Sequence, residues 1–167
     1  RARLPWLLVG LLGGIVSSKI IGIYETQLKI NPEMAFFIPL IAAMGGNVGV
    51  QSSALIVQGL ANKSLGLNSV WSKIGKEMAV GILNGVVCSA IIFGYNYFFE
   101  ESLTLGITVC IALISVIFFA GIFGTLIPLM LHKYKIDPAL ATGPFITTTN
   151  DIFGIFLYFF IGYLMYA

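Results

Sequence analysis

Five apolar runs, each long enough to cross a bilayer, take up most of this 167-residue chain. They are drawn at about 4–24, 34–60, 74–99, 103–131 and 138–166, against the ~20 residues that a helical span requires. Hydrocarbon offers no water to a peptide N–H or C=O, so segments of this kind must satisfy their backbone internally, as helices do. Charged residues make up 10% of the chain, well below the roughly one quarter typical of soluble domains. The fold class read here is therefore an all-α membrane protein, multi-pass, with five transmembrane helices in a single domain over residues 1–167. A net charge of +2 with no basic run argues against nucleic acid as a partner. Cys88 and Cys110 lie in separate apolar runs without CxxC spacing, so they read as small buried residues rather than ligands.

Orientation follows from the lysines and arginines of the short loops. Arg1 and Arg3, then Lys63, Lys73 and Lys76, then Lys133 and Lys135 fall on one side. Lys29 and Lys19 fall on the other, where Glu100 and Glu101 sit in a loop without a base. The first side is expected to be cytoplasmic, with the N-terminus inside and the C-terminus outside. Lys19 snorkels from its span end. The link Ala61–Ser72 is expected to hold an interfacial turn. Arg1-Ala2-Arg3 opens without Met or a signal-peptide pattern, which suggests a segment of a longer chain. Gly10 with Gly14, Gly45 with Gly49 and Gly81 with Gly85 form GxxxG pairs, which allow close helix packing.

The last run carries Asp151 deep within it, with no Lys or Arg after Lys135 to neutralise it. An intramembrane carboxylate costs several kcal/mol unless it meets water, a cation or a partner. On a helix, Pro144, Thr147, Thr148, Asp151, Gly154 and Tyr158 fall on one side at spacings of three and four. This polar stripe reads as the wall of an ion pathway. The competing reading makes Asp151 a protonated packing residue, bonded to the threonines or to a neighbouring helix.

The second run offers a companion surface. It holds Pro39, then Gly45-Gly46-Asn47-Val48-Gly49-Val50-Gln51-Ser52-Ser53, and later Gln58. Asn47, Gln51 and Gln58 share a face at offsets of four and seven. The paired glycines and the proline are expected to break the helix and free carbonyls, a state tolerated at depth only inside protein or beside water. Counted from Pro32 and Pro138 at 1.5 Å per residue, Asn47 and Asp151 reach a similar depth from opposite sides. Candidate pore-lining residues are therefore Asn47, Gln51, Gly46, Pro144, Thr147, Thr148 and Gly154 around a metal site at Asp151. A site of carboxylate, hydroxyl and amide oxygens, without thiolate or imidazole at depth, suits a hard cation.

Arg3-Leu4-Pro5-Trp6-Leu7-Leu8, Pro39-Leu40 with Gly45-Gly46-Asn47-Val48-Gly49 and Gln51-Ser52, Lys76-Glu77, and Gly143-Pro144-Phe145-Ile146-Thr147-Thr148 with Asp151, Gly154 and Tyr158-Phe159 resemble the membrane domain of the MgtE family of magnesium channels. The resemblance covers essentially the whole chain. It implies a homodimer with the pore between subunits, lined by the second and fifth helices, and the aspartate matching Asp151 as the central cation site. A cytoplasmic regulatory region of the family's kind is expected to be absent.

The function expected is movement of hydrated Mg2+ through a pore centred on Asp151, with Mn2+, Co2+ or Ca2+ as substitutes, in a bacterial-type cytoplasmic membrane. The partners are Mg2+, a second copy of the chain and the lipid bilayer. A coupled divalent-cation exchanger is the alternative, and a non-transporting assembly subunit stands behind it. An enzyme is not expected, since the single histidine, His132, sits in a loop beside Lys133. Glu77 is read as a local ion-pair partner of Lys73 and Lys76, with a secondary part at the inner mouth as its alternative.

Overall fold

The computed structural model describes residues 4–62, 67–99, 102–141 and 143–166, including every side chain there except those of residues 67–71, 73, 140 and 141. Arg1, Arg3, Lys63, Glu100 and Glu101, and the side chains of Trp71 and Lys73, lie outside the described residues. Helix accounts for nearly all the rest. The order is α1 (Leu4–Ile23), α2 (Glu25–Ile30), a 3-10 turn (Pro32–Phe37), α3 (Ile38–Ala61), α4 (Leu67–Phe99), α5 (Leu103–Lys133), a second 3-10 turn (Pro138–Ala141) and α6 (Pro144–Tyr166). Five of these helices, α1, α3, α4, α5 and α6, are long and apolar enough to cross a membrane.

Two expectations about local structure need correction. The second span is not broken: α3 is continuous from Ile38 to Ala61 straight through Gly45-Gly46. Pro39 falls in its first turn, where a missing N–H costs no hydrogen bond, and packing on both sides holds the glycines helical. The third span falls where expected, at Ile74–Phe99, and its helix α4 extends ahead of it to Leu67. Its 33 residues extend about 50 Å, more than the ~40–45 Å of a whole bilayer. The fifth span is shorter as a helix than expected: Pro138–Ala141 forms a 3-10 turn and α6 starts at Pro144. Gly143 supplies a φ of 147° at that junction, and the Thr147 N–H closes the first turn onto its carbonyl at 3.1 Å.

Side-chain neighbours give the direction of each helix pair. Along α3, Gly45 and Gly49 meet Asn150, and Gly49 also meets Ile146, so α3 and α6 are antiparallel. Gly45 meets Val116 while Gly49 and Ser52 meet Gly124, so α3 and α5 run the same way. Ser89 donates to the Cys110 carbonyl at 3.0 Å, and Asn96 meets Gly106, which sets α4 antiparallel to α5. Gly13 meets Thr148 and Tyr24 stacks on Phe159 at 5.3 Å, so α1 follows α6. α5 is the central helix, with buried residues along its length from Leu105 to Pro128. α4 packs on it from one side, and α3 and α6 from the other. α1 lies outermost, burying only Gly13 and Ser17.

The two halves of the bundle are filled differently. In the half containing the C-terminal end of α6, Met34, Phe37 and Ile41 pack with Val109, Leu113, Val116, Ile155, Tyr158 and Phe159. The Tyr158 hydroxyl donates to the Met34 carbonyl at 2.8 Å and fixes the 3-10 turn ahead of α3. In the other half most buried positions are small or polar, with Gly45, Gly49, Ser52, Ser53, Gly121, Gly124, Thr125 and Asn150 alongside Ile56 and Ile146. Pro128 lies within this part of α5 and removes the donor that would bond to the Gly124 carbonyl. The Thr125 hydroxyl donates to the Gly121 carbonyl at 2.8 Å nearby.

Of the three GxxxG pairs, Gly45/Gly49 and Gly81/Gly85 serve close packing, the latter with Gly85 against the Ile114 backbone. Gly10 and Gly14 face open space, and Gly13 makes the contact in α1 instead. A Cβ on Gly124 would collide with the Gly49 carbonyl oxygen and lie 3.1 Å from the Gly49 Cα, both backbone atoms that cannot rotate away. We expect Gly124→Ala to cost about 1–3 kcal/mol or more, the range for overpacking, while Gly10→Ala is neutral to slightly stabilising. Thermal unfolding of the detergent-solubilised chain measures the difference.

Candidate cation pathway

Asp151 lies in the second turn of α6, about 10 Å along the helix from Pro144 at 1.5 Å per residue. It is half-buried, and no described residue donates a hydrogen bond or a positive charge to it. Its neighbour across the interface is Gly46 of α3, where a Cβ would sit 3.6 Å from Asp151 Oδ1 and 3.7 Å from Thr147 Cγ2. Asp151, Thr147 and Gly46 therefore form one cluster between α3 and α6. Thr147 donates its hydroxyl to its own helix, to the Pro144 carbonyl at 3.2 Å, which leaves its oxygen lone pairs as acceptors.

The polar stripe read from the sequence divides. Thr148 turns its methyl into Gly13 of α1, on the flank away from Gly46. Gly154 is buried against Val116 and Ile41, and Tyr158 is buried on Met34. The six residues span roughly 120° of a helix turning 100° per residue, an arc too wide for one crevice when α6 touches α1, α3 and α5. Pro144 is exposed at the start of α6, one turn before Thr147. Of the α3 residues, Asn47, Gln51 and Gln58 are all exposed along one face, beside buried Gly46. An open groove of about 710 Å³ follows that face past Gln51 and Gln58.

One residue missing from the sequence reading of the site belongs beside it. Asn150 is 2% exposed and packs its amide against Gly49, with Nδ2 lacking a partner among the described residues. Its spacing of four from both Ile146 and Gly154, themselves buried, was the available signal. The Lys73 side chain lies outside the described residues, and Glu77, read as a local ion-pair partner of Lys73 and Lys76 with a part at the inner mouth as its alternative, reaches across to α3. Its Oε2 accepts a hydrogen bond of 2.9 Å from the Ser52 hydroxyl of α3, and no Lys76–Glu77 ion pair occurs among the described residues.

The chain carries the MgtE divalent cation transporter domain over residues 38–161, a match that spans α3 to α6 and so contains the whole cluster. The chain belongs to the MgtE family. A magnesium transporter MgtE of Bacillus subtilis is 38% identical over 94% of the chain and 35% of its own length. One of Thermus thermophilus is 34% identical over 98% of the chain and 36% of its own length. One of Enterococcus faecalis is 35% identical over 94% of the chain and 35% of its own length. The chain thus spans about a third of the length of the relatives it matches. MgtE proteins are integral membrane transporters and not enzymes, in keeping with the five apolar helices.

Gly46 and Gly49 predict opposite responses to a methyl group. At Gly46 the added carbon meets Asp151 and Thr147 at ordinary contact distances of 3.6–3.9 Å. Alanine also favours a helix interior over glycine by about 1 kcal/mol. Gly46→Ala should therefore unfold at or above the native temperature. Gly49→Ala, whose Cβ overlaps the Asn150 amide and lies 2.9 Å from Ile146 Cγ2, should unfold below it. Melting curves of the two variants side by side check the contrast.

Proposed function

We propose that this chain forms the membrane-spanning pathway for a hydrated divalent cation, Mg2+ foremost, with Asp151 as the central charge. One observation carries the reading: a half-buried carboxylate without a partner among the described residues lies beside Gly46, at the level of the exposed amide face of α3. Mg2+ gives up water reluctantly and is held through one or two carboxylates while it keeps several waters. Asp151 would supply the charge, and Thr147, Asn47 and Gln51 neutral oxygens for the hydration shell. The three relatives named as magnesium transporters support Mg2+ as the cargo.

A second copy of the chain completes the pathway. In one chain the face bearing Asn47, Gln51 and Gln58 is exposed, and amides left in hydrocarbon are costly. A twofold axis normal to the membrane, beside α3 and α6, would cover that face and bring two copies of Asp151 around one ion. The end carrying Lys76 and Lys133 faces the cytoplasm by the positive-inside rule. The membrane is then a cytoplasmic membrane of bacterial type.

Asp151→Asn keeps the volume and removes the charge. A carboxylate ~5 Å from a divalent ion contributes about 6–7 kcal/mol at an effective dielectric of about 20, so its loss should weaken binding by about a hundredfold or more. Mg2+ entry into proteoliposomes, read by a trapped Mg2+-sensitive dye, should fall by that order while the variant elutes from a sizing column like the native protein. Asn47→Ala and Gln51→Ala, which remove only dipoles, should each cost about tenfold or less. Native flux through a folded Asp151→Asn variant would return the residue to a packing role.

The dimer face is checked separately. With Cys88 and Cys110 replaced by alanine, Ala54→Cys on the exposed side of α3 should form a disulfide-linked dimer under mild oxidation. Leu83→Cys on the exposed side of α4 should not. The reverse pattern would place the axis at α4.

A further inference from the structure

We infer a second cation-binding position, one that takes a hydrated divalent ion at the Glu77 carboxylate where α4 meets the C-terminal turns of α3. It rests on the reading of α3 and α6 as a cation pathway. The carboxylate is a built feature of the interface. Ser52, 3% exposed, donates to Glu77 Oε2 at 2.9 Å, which aims the side chain across to α3. Oε1 has no partner among the described residues. Beside it is a cavity of about 310 Å³ whose polar walls are Gln58, Asn62, Lys76 and Glu77. Water occupies about 30 Å³ per molecule, so an ion with six waters needs roughly 180 Å³ and fits.

The cavity adjoins the groove along α3, since Leu55 and Gln58 line both. That groove continues to Gln51, one turn from Asn47. Gln58 lies eleven residues beyond Asn47 in α3, a separation of about 16 Å at 1.5 Å per residue. An ion leaving the Asp151 level toward the basic end would therefore meet a carboxylate again after about three turns. No group of three His, Cys, Asp or Glu side chains occurs among the described residues, so this is no dehydrated cage. One carboxylate and the amide oxygens of Gln58 and Asn62 would hold the ion through its waters. The ammonium of Lys76 in the same wall keeps the hold weak, as conduction through successive sites requires.

Mn2+ serves as the probe, because its free-ion paramagnetic resonance signal disappears on binding. In nanodiscs of neutral phosphatidylcholine, titration of the native chain should show two classes of bound Mn2+. Glu77→Gln retains an oxygen to accept from Ser52, so the fold should be kept, and it should lose about one Mn2+ per chain. Asp151→Asn should keep that ion and lose the shared one. Glu77→Gln that binds as much Mn2+ as the native chain overturns the second site and leaves the Asp151 reading standing. Asp151→Asn that loses nothing overturns the pathway reading instead. Lys76→Gln should lower the dissociation constant of the Glu77-dependent class several-fold, and an unchanged constant counts against the site.

Discussion

Without a side chain at Gly49 or Gly124, the main chain of α3 rests against the main chain of α5. On the adjacent face, Gly45 and Gly49 admit Asn150 of α6. Apolar lipid gives helices no hydrophobic reason to associate, so close contact of this kind is what holds such a bundle. It also sets register. With Gly49 seated on Asn150, Gly46 lies opposite Asp151, and moving α6 by one residue would carry the carboxylate elsewhere. The position of the charge is a result of backbone contact one turn away.

The separation into an apolar half and a half of small polar residues follows the same logic. Tyr158, Phe159, Met34 and Leu113 fill space and exclude water at one end. At the other, Ser52, Ser53, Thr125 and Asn150 leave polar atoms near the surfaces proposed for the cation. Asn150 and Ser53 each retain a buried polar atom without a partner among the described residues. Such groups are costly in apolar surroundings and lie here beside the candidate pathway.

The spans were legible because hydropathy over twenty residues is a strong signal, and each apolar span falls within a few residues of its expected place, apart from the late start of α6. Proximity of the Gly46–Asn47 segment to Asp151 was also legible, from depth alone. Other features depended on neighbours. Gly45-Gly46 reads as a break until α5 and α6 are seen to support it. Thr148 and Gly154 share a helical side with Asp151, yet only contacts with α1 and α5 show that they leave the crevice. Glu77 has lysines nearby in sequence, which obscured its hydrogen bond to a serine 25 residues away.

The hydrogen bond from Tyr158 to Met34 joins residues 124 positions apart. A ribosome adding roughly 5–20 residues per second needs on the order of ten seconds to cover that distance. Throughout that interval α1 and α3 exist without α6, and the side of α3 that receives Asn150 has no permanent neighbour. The first helix made has its main contact with the last. Insertion can thus proceed span by span, but closure of the bundle is a late event that awaits the final segment.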